Sequence, residues 1–168
     1  FFKRRIIRLH PMVIMGSIVG AAFFYFQESP CFPPIENTSV GTMLLVMLLG
    51  CTLLPLPLKF DIRGWTEMHP LNGPAWSLYY EYIGNILYAL FVRKFNKVAL
   101  SVLVFVAGGF TVYRCLTAPA GDIVGGWALN WEQQYVGMVR LMYPFFGGLL
   151  LSRLGWLIRL VLSGGAAC

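Results

Sequence analysis

Charge is what this sequence has least of. Only 12% of its 168 residues are Asp, Glu, Lys or Arg, where soluble domains carry about a quarter, while 58% are hydrophobic and the mean hydropathy is +0.69. So little charge cannot cover a water-facing surface, which excludes a soluble globular domain and points to a polytopic protein of the lipid bilayer. Acidic residues are scarcer still, seven against thirteen basic ones. The positive excess sits in short flanks of apolar runs, as in loops that face anionic headgroups. No basic surface interleaved with aromatics and no zinc-finger spacing accompanies it, so no nucleic-acid partner is expected. The four cysteines, Cys31, Cys51, Cys115 and Cys168, have no CxxC or CxH spacing, so neither a metal site nor a redox motif is indicated. A Cys31–Cys115 bridge on the outer side stays open, and Cys51 reads as a small buried residue. Histidine is limited to His10 and His69, and there is no internal repeat.

What is present is a series of apolar runs. The chain opens on Phe1 without the charged, apolar and small-residue pattern of a signal peptide. Lys3, Arg4, Arg5 and Arg8 precede the first run, 11–26, and the positive-inside rule puts that flank in the cytoplasm. Segment 27–39 holds three prolines, two glutamates and no basic residue, the composition of an outer loop. Run 40–54 is short for a crossing. Reading it as shallow or re-entrant keeps 56–73 outside and returns Arg93, Lys94 and Lys97 to the cytoplasm. Further crossings are expected at 75–92, 97–112 and 135–151, and an apolar segment from Gly155 stops after too few residues to cross. The expectation is all-α: a polytopic transmembrane helical bundle, incomplete, with about four to five membrane helices plus a truncated one. Residues 1–168 then form a partial domain, truncated at both ends and lacking N- and C-terminal helices of the same protein.

Three groups of residues carry chemistry. Within 75–92, which Gly73 and Pro74 start as a helix, Ser77, Glu81, Asn85 and Tyr88 recur at i, i+4, i+8 and i+11 and so form one polar stripe on an oily helix. A carboxylate near the centre of a bilayer costs about 2.5 to 3.5 kcal/mol, so Glu81 should face other helices or a wet cavity. Two readings stand: a functional carboxylate, or a protonated or hydrogen-bonded group that glues helices together. Arg5 and Arg8, three apart on a helix, can clamp phosphate oxygens or simply anchor the flank. Arg140, inside an apolar run, either snorkels to the interface or pairs with Glu81 or another anion. His69 is a candidate substrate contact, and His10 lies in the basic flank.

These elements carry a resemblance. Trp76-Ser77-Leu78-Tyr79-Tyr80-Glu81 resembles the WSLxxE signature of the acyltransferase 3 family, FFKRRIIRLHP resembles its FFxRRxxRxxP element, and RLMYPFFGGLLL resembles its arginine followed by an aromatic, Gly- and Leu-rich helix. The family comprises integral membrane enzymes that acylate sugars of surface glycans. The resemblance implies transfer of an acyl group, acetyl above all, from acyl-CoA as co-substrate to a sugar hydroxyl of a polysaccharide or glycolipid acceptor, in a bacterial inner membrane. It implies Glu81 as catalytic residue and Arg4, Arg5 and Arg8 as donor-binding. Trp76, Ser77, Asn85, Tyr88, Arg140 and His69 would line the cavity, and no metal is called for. The family's catalytic histidine lies on a helix upstream of FFxRR, so the fragment alone is expected to be inactive. The rival reading is a transporter or flippase whose Glu81 and Arg140 line a conduit.

Overall fold

The structure, a computed structural model, describes residues 2–27, 33–119 and 121–164, with side chains described for 7–27, 34–119 and 121–155. Every regular element among these is helical: α1 (Phe2–Phe26), α2 (Pro33–Glu36), α3 (Val40–Gly50), α4 (Ala75–Leu90), α5 (Lys97–Thr117) and α6 (Trp131–Gly164), with 3-10 turns at Leu58–Phe60 and Val92–Lys94. Helices are what a bilayer demands, because each backbone N–H and C=O must find a partner inside its own segment. Three stretches are long and apolar enough to cross: Ile7–Phe26, Lys97–Thr117 and Trp131–Gly155. The protein is an integral membrane protein built as a helical bundle.

Among the described residues α3 is a shorter apolar helix, and α4, expected as a crossing at 75–92, falls below the length of one with 16 residues. Ser39 caps α3, its hydroxyl accepting from the Thr42 N–H at 3.2 Å. With 11 residues, α3 is about 16 Å long, roughly half of the hydrocarbon thickness. That length agrees with a shallow segment at 40–54. Helix α4 has 16 residues and ends at Leu90, two residues before the expected boundary, where the chain tightens into the Val92–Lys94 turn. At the far end the structure differs more. The expected break between a crossing at 135–151 and a separate segment from Gly155 is absent, since α6 runs unbroken for 34 residues. Gly155 sits in it without ending it, as an isolated glycine in a helix costs only about 1 kcal/mol. Pro11 and Pro144 are likewise carried inside helices.

The chain divides into two compact units, Phe1–Ile83 with Gly125–Gly137, and Gly84–Val124 with Met138–Cys168. In the first, α1 packs against α3. Ala21, Phe24, Ile35, Met43, Val46, Leu56, Ile62 and Leu71 form its main core, and Val13, Leu53 and Ala75 a second cluster flanked by Leu78, Tyr79 and Tyr82. The close approach uses small residues. A Cβ on Gly20 would collide with the Leu71 carbonyl, one on Gly16 would collide with the Asn72 amide, and Asn72 Nδ2 donates to the Val13 carbonyl at 3.3 Å.

Segment 55–74 is folded, not a floppy loop. The Asp61 carboxylate accepts from the backbone N–H groups of Arg63 (3.2 Å), Gly64 (2.9 Å) and Thr66 (2.6 Å), closing a turn in which Gly64 and Thr66 take positive φ. The Leu56 N–H donates to the Met68 carbonyl and the Met68 N–H to the Trp127 carbonyl.

In the second unit, Val92, Leu100 and Phe146 are the buried centre, with Leu87, Tyr88, Leu103 and Met142 among their neighbours. Asn96 caps α5 by accepting from Ala99 N–H at 2.8 Å. Arg153 on α6 donates to the carbonyls of Phe95 (2.6 Å) and Val92 (3.4 Å), the latter already accepting from the Phe95 N–H in the turn before α5. Cys51 and Cys115 are free thiols, and Cys31, named above as a possible partner of Cys115, lies outside the described residues.

Candidate functional site: a polar stripe on α4 and the segment that precedes it

The four stripe residues share one side of α4 by their spacing but sit in different surroundings. Ser77 is exposed, and its hydroxyl donates to the Pro74 carbonyl at 2.8 Å. Glu81 and Tyr88 are half-buried, and Asn85 is buried at 3% exposure. The stripe therefore turns inward along the helix, with the carboxylate at its midpoint. Tyr88 belongs to the apolar cluster of the second unit. Arg140 is half-buried on α6.

Beside the stripe runs an aromatic row. Trp76 meets Tyr80 edge-on at 6.2 Å between ring centroids, and Tyr79 meets Tyr80 at 5.2 Å. Tyr80 is 2% exposed, and its ring fills the space that a side chain at Gly137 would need, while Gly126 leaves room for Trp76. The row was not read from the sequence. Its signal was a glycine, Gly137, set within an apolar helix so that an aromatic ring could approach the backbone.

His69 lies next to this row, its ring 6.3 Å from that of Tyr79 and only 3% exposed. The Leu53 carbonyl, 3.3 Å from Nε2, can only accept, so Nε2 carries the proton. Nδ1 is buried and has no hydrogen-bond partner among the described residues. Burial pushes the imidazole pKa down, which the bond to Leu53 only partly offsets, so the ring is held neutral. Leu53 takes a φ of 60°, a left-handed conformation that costs a non-glycine residue about 1 kcal/mol. A strained residue thus supplies the carbonyl that fixes the tautomer.

Two residues earlier, burial pushes the Glu67 carboxyl pKa up, opposed by Arg63 and reinforced by Asp61. Arg63 is committed on three sides: Nη1 donates to the Pro70 carbonyl at 3.3 Å and lies 3.6 Å from Glu67, and the guanidinium stacks on Trp65 at 4.6 Å. None of these contacts was legible from spacing.

Arg8 is exposed near the start of α1. The side chains of Arg4 and Arg5 lie outside the described residues. Among the described residues, no three His, Cys, Asp or Glu side chains converge in a way that could hold a metal ion.

A family model described as an acyltransferase domain, that of acyltransferase 3, matches residues 1–168. The chain belongs to the acyltransferase 3 family. A curated relative, protein 2 in the picA locus of Rhizobium radiobacter, is 30% identical over 94 residues, which cover 53% of this chain and 48% of that protein. The chain thus matches about half the length of this relative. No solved structure matches it. Acyl transfer is the general chemistry of that family.

Proposed function

We propose that the protein is a membrane O-acyltransferase that moves an acyl group, acetyl in the first instance, from cytoplasmic acyl-CoA to a sugar hydroxyl of a cell-surface polysaccharide or glycolipid. It would reside in a bacterial inner membrane, with the basic start of α1 in the cytoplasm. In the reaction the hydroxyl oxygen attacks the thioester carbonyl, the new C–O bond replaces the C–S bond, and coenzyme A leaves as a thiolate that recovers the hydroxyl's proton. Glu81 orients the hydroxyl or the group that takes its proton, which a half-buried carboxylate in an apolar helix does more strongly than one in water. Arg4, Arg5 and Arg8 hold the donor phosphates, for which guanidinium is the best geometric match. Trp76, Ser77 and His69 in the first unit, and Asn85, Tyr88 and Arg140 in the second, are each candidates for contact with substrate.

One observation carries this reading: the family match runs the length of the chain and takes in both the arginine-rich start of α1 and the carboxylate of α4. The test uses the full-length protein in membrane vesicles supplied with radiolabelled acetyl-CoA. Glu81→Gln should lower label transfer to glycan by about a hundredfold or more while leaving the amount of protein unchanged. Undiminished transfer by that variant would rule out the role assigned to Glu81.

A further inference from the structure

The first unit contains a cleft that the acyl-transfer machinery above leaves unused. It lies at the C-terminal end of α1, where α2 and the start of α3 complete its walls, and encloses about 590 Å³. That is within the range of roughly 300–1,000 Å³ typical of small-ligand sites. Its apolar lining includes Phe24, Ile35 and Met43, which also belong to the main core of the unit and so hold the walls in place. Its polar groups are Thr38, whose hydroxyl donates to the Pro34 carbonyl, and three others, Tyr25, Gln27 and Glu36. All three are exposed, and neither the Gln27 amide nor the Glu36 carboxylate has a side-chain hydrogen bond among the described residues.

A second, smaller space of about 120 Å³ shares Phe24 and Gln27 and is bordered by Arg63 and Pro70. The guanidinium of Arg63 is already committed to Pro70, Glu67 and Trp65. The uncommitted charge of the paired spaces is therefore that of Glu36. From Arg8 to Phe26 is 18 residues of helix, so the cleft stands about 27 Å along α1 from the site assigned to the donor phosphates.

Apolar walls with a tyrosine, an amide and a carboxylate at the rim match a pyranose ring. The C–H face of a sugar packs on aromatic and aliphatic surface, and its hydroxyls both donate and accept at the edge. A carboxylate accepts from two hydroxyls or from an ammonium group, and repels a second carboxylate. We propose that this cleft seats a ring of the acceptor glycan, and that the ring is neutral or amine-bearing, not a uronic acid. The proposal rests on the acyl-transfer reading for the identity of the ligand as an acceptor. Its binding test does not depend on that reading.

Two measurements on the full-length protein in membranes test it. With Gln27→Cys in a background without other cysteines, the rate of maleimide labelling should fall in the presence of methyl glucoside and not in the presence of glucuronate. In kinetics, Gln27→Ala and Glu36→Ala should each raise KM for the sugar acceptor about tenfold, with KM for acetyl-CoA and kcat unchanged. Glu36→Gln should let a uronic acid compete. Unchanged labelling with both sugars, together with unchanged acceptor KM, overturns the site. Equal protection by methyl glucoside and glucuronate overturns the charge preference. Protection by methyl glucoside in a protein that transfers no acyl group would leave the sugar site standing and remove the acyl-transfer reading.

Discussion

Helices α1 and α5 look alike as text and behave differently as structure. Their apolar spans, Ile7–Phe26 and Lys97–Thr117, have 20 and 21 residues. Yet α1 buries Val13, Ser17, Ala21 and Phe24, an i, i+4, i+8, i+11 stripe, and beside it Gly16 and Gly20 admit the backbone and amide of residues 71 and 72. Helix α5 buries only Leu100 and Ala107 and turns Val98, Val102, Phe105 and Phe110 outward. Lipid is as apolar as leucine, so hydropathy cannot say which face of a membrane helix meets protein. Small residues can, because they alone let backbone approach backbone.

The sharpest way to break the contrast is to add one methyl group to each helix. Gly20→Ala should destabilise the first unit by about 3 kcal/mol, because the methyl falls on the Leu71 carbonyl. Gly109→Ala meets nothing within 4 Å on α5 and should be neutral or stabilising by up to about 1 kcal/mol. Thermal unfolding in detergent reads both, and equal effects would mean that the two helices pack alike after all.

A second pair removes a ring from each. Phe24→Ala, emptying the core between α1, α2 and α3, should cost about 3 kcal/mol, and Phe105→Ala, 83% exposed, no more than about 0.5 kcal/mol.

The smallest effect is pH-dependent and belongs to the first unit alone, since the second contains no histidine. The folded state holds His69 below its usual value near 6.5, so the unfolded chain takes up a proton first as the medium is acidified. Stability linked to His69 is complete above about pH 6.5 and declines as pH falls below it toward the depressed folded value. His69→Gln, which can retain a donor for Leu53, should flatten the decline that sets in below about pH 6.5. An unchanged slope in denaturant titrations would show that His69 is not its source.

The sequence announced a membrane bundle through its scarcity of charge, and the start of α4 through Gly73 and Pro74, whereas the Asn96 cap of α5 came from the structure. Motif resemblance led to the acyltransferase 3 family. It also flagged Glu81, Arg8 and His69 as worth locating. What it did not disclose was long-range. The bond from Asn72 to Val13 joins residues 59 apart, and the seat of Tyr80 on Gly137 joins residues 57 apart. Such pairs leave no periodicity to read. The Gly16-x-x-x-Gly20 spacing was available as a signal for close approach on α1 and went unused, because what fills it is a segment of irregular backbone instead of a second helix. The continuity of α6 was obscured by Gly155, which reads as punctuation in a string of letters and is absorbed by 34 residues of helix.

The turn at Asp61 has a consequence for biogenesis. One side chain supplies closure for three amides within five residues, so this stretch can take its shape from its own atoms, without waiting for distant helices to assemble around it. A polar excursion that arrives preshaped spares the nascent chain an interval in which bare peptide groups would lie against lipid. Substituting Asp61 would then show itself first as poor accumulation of the protein in the membrane, before any measurement of catalysis.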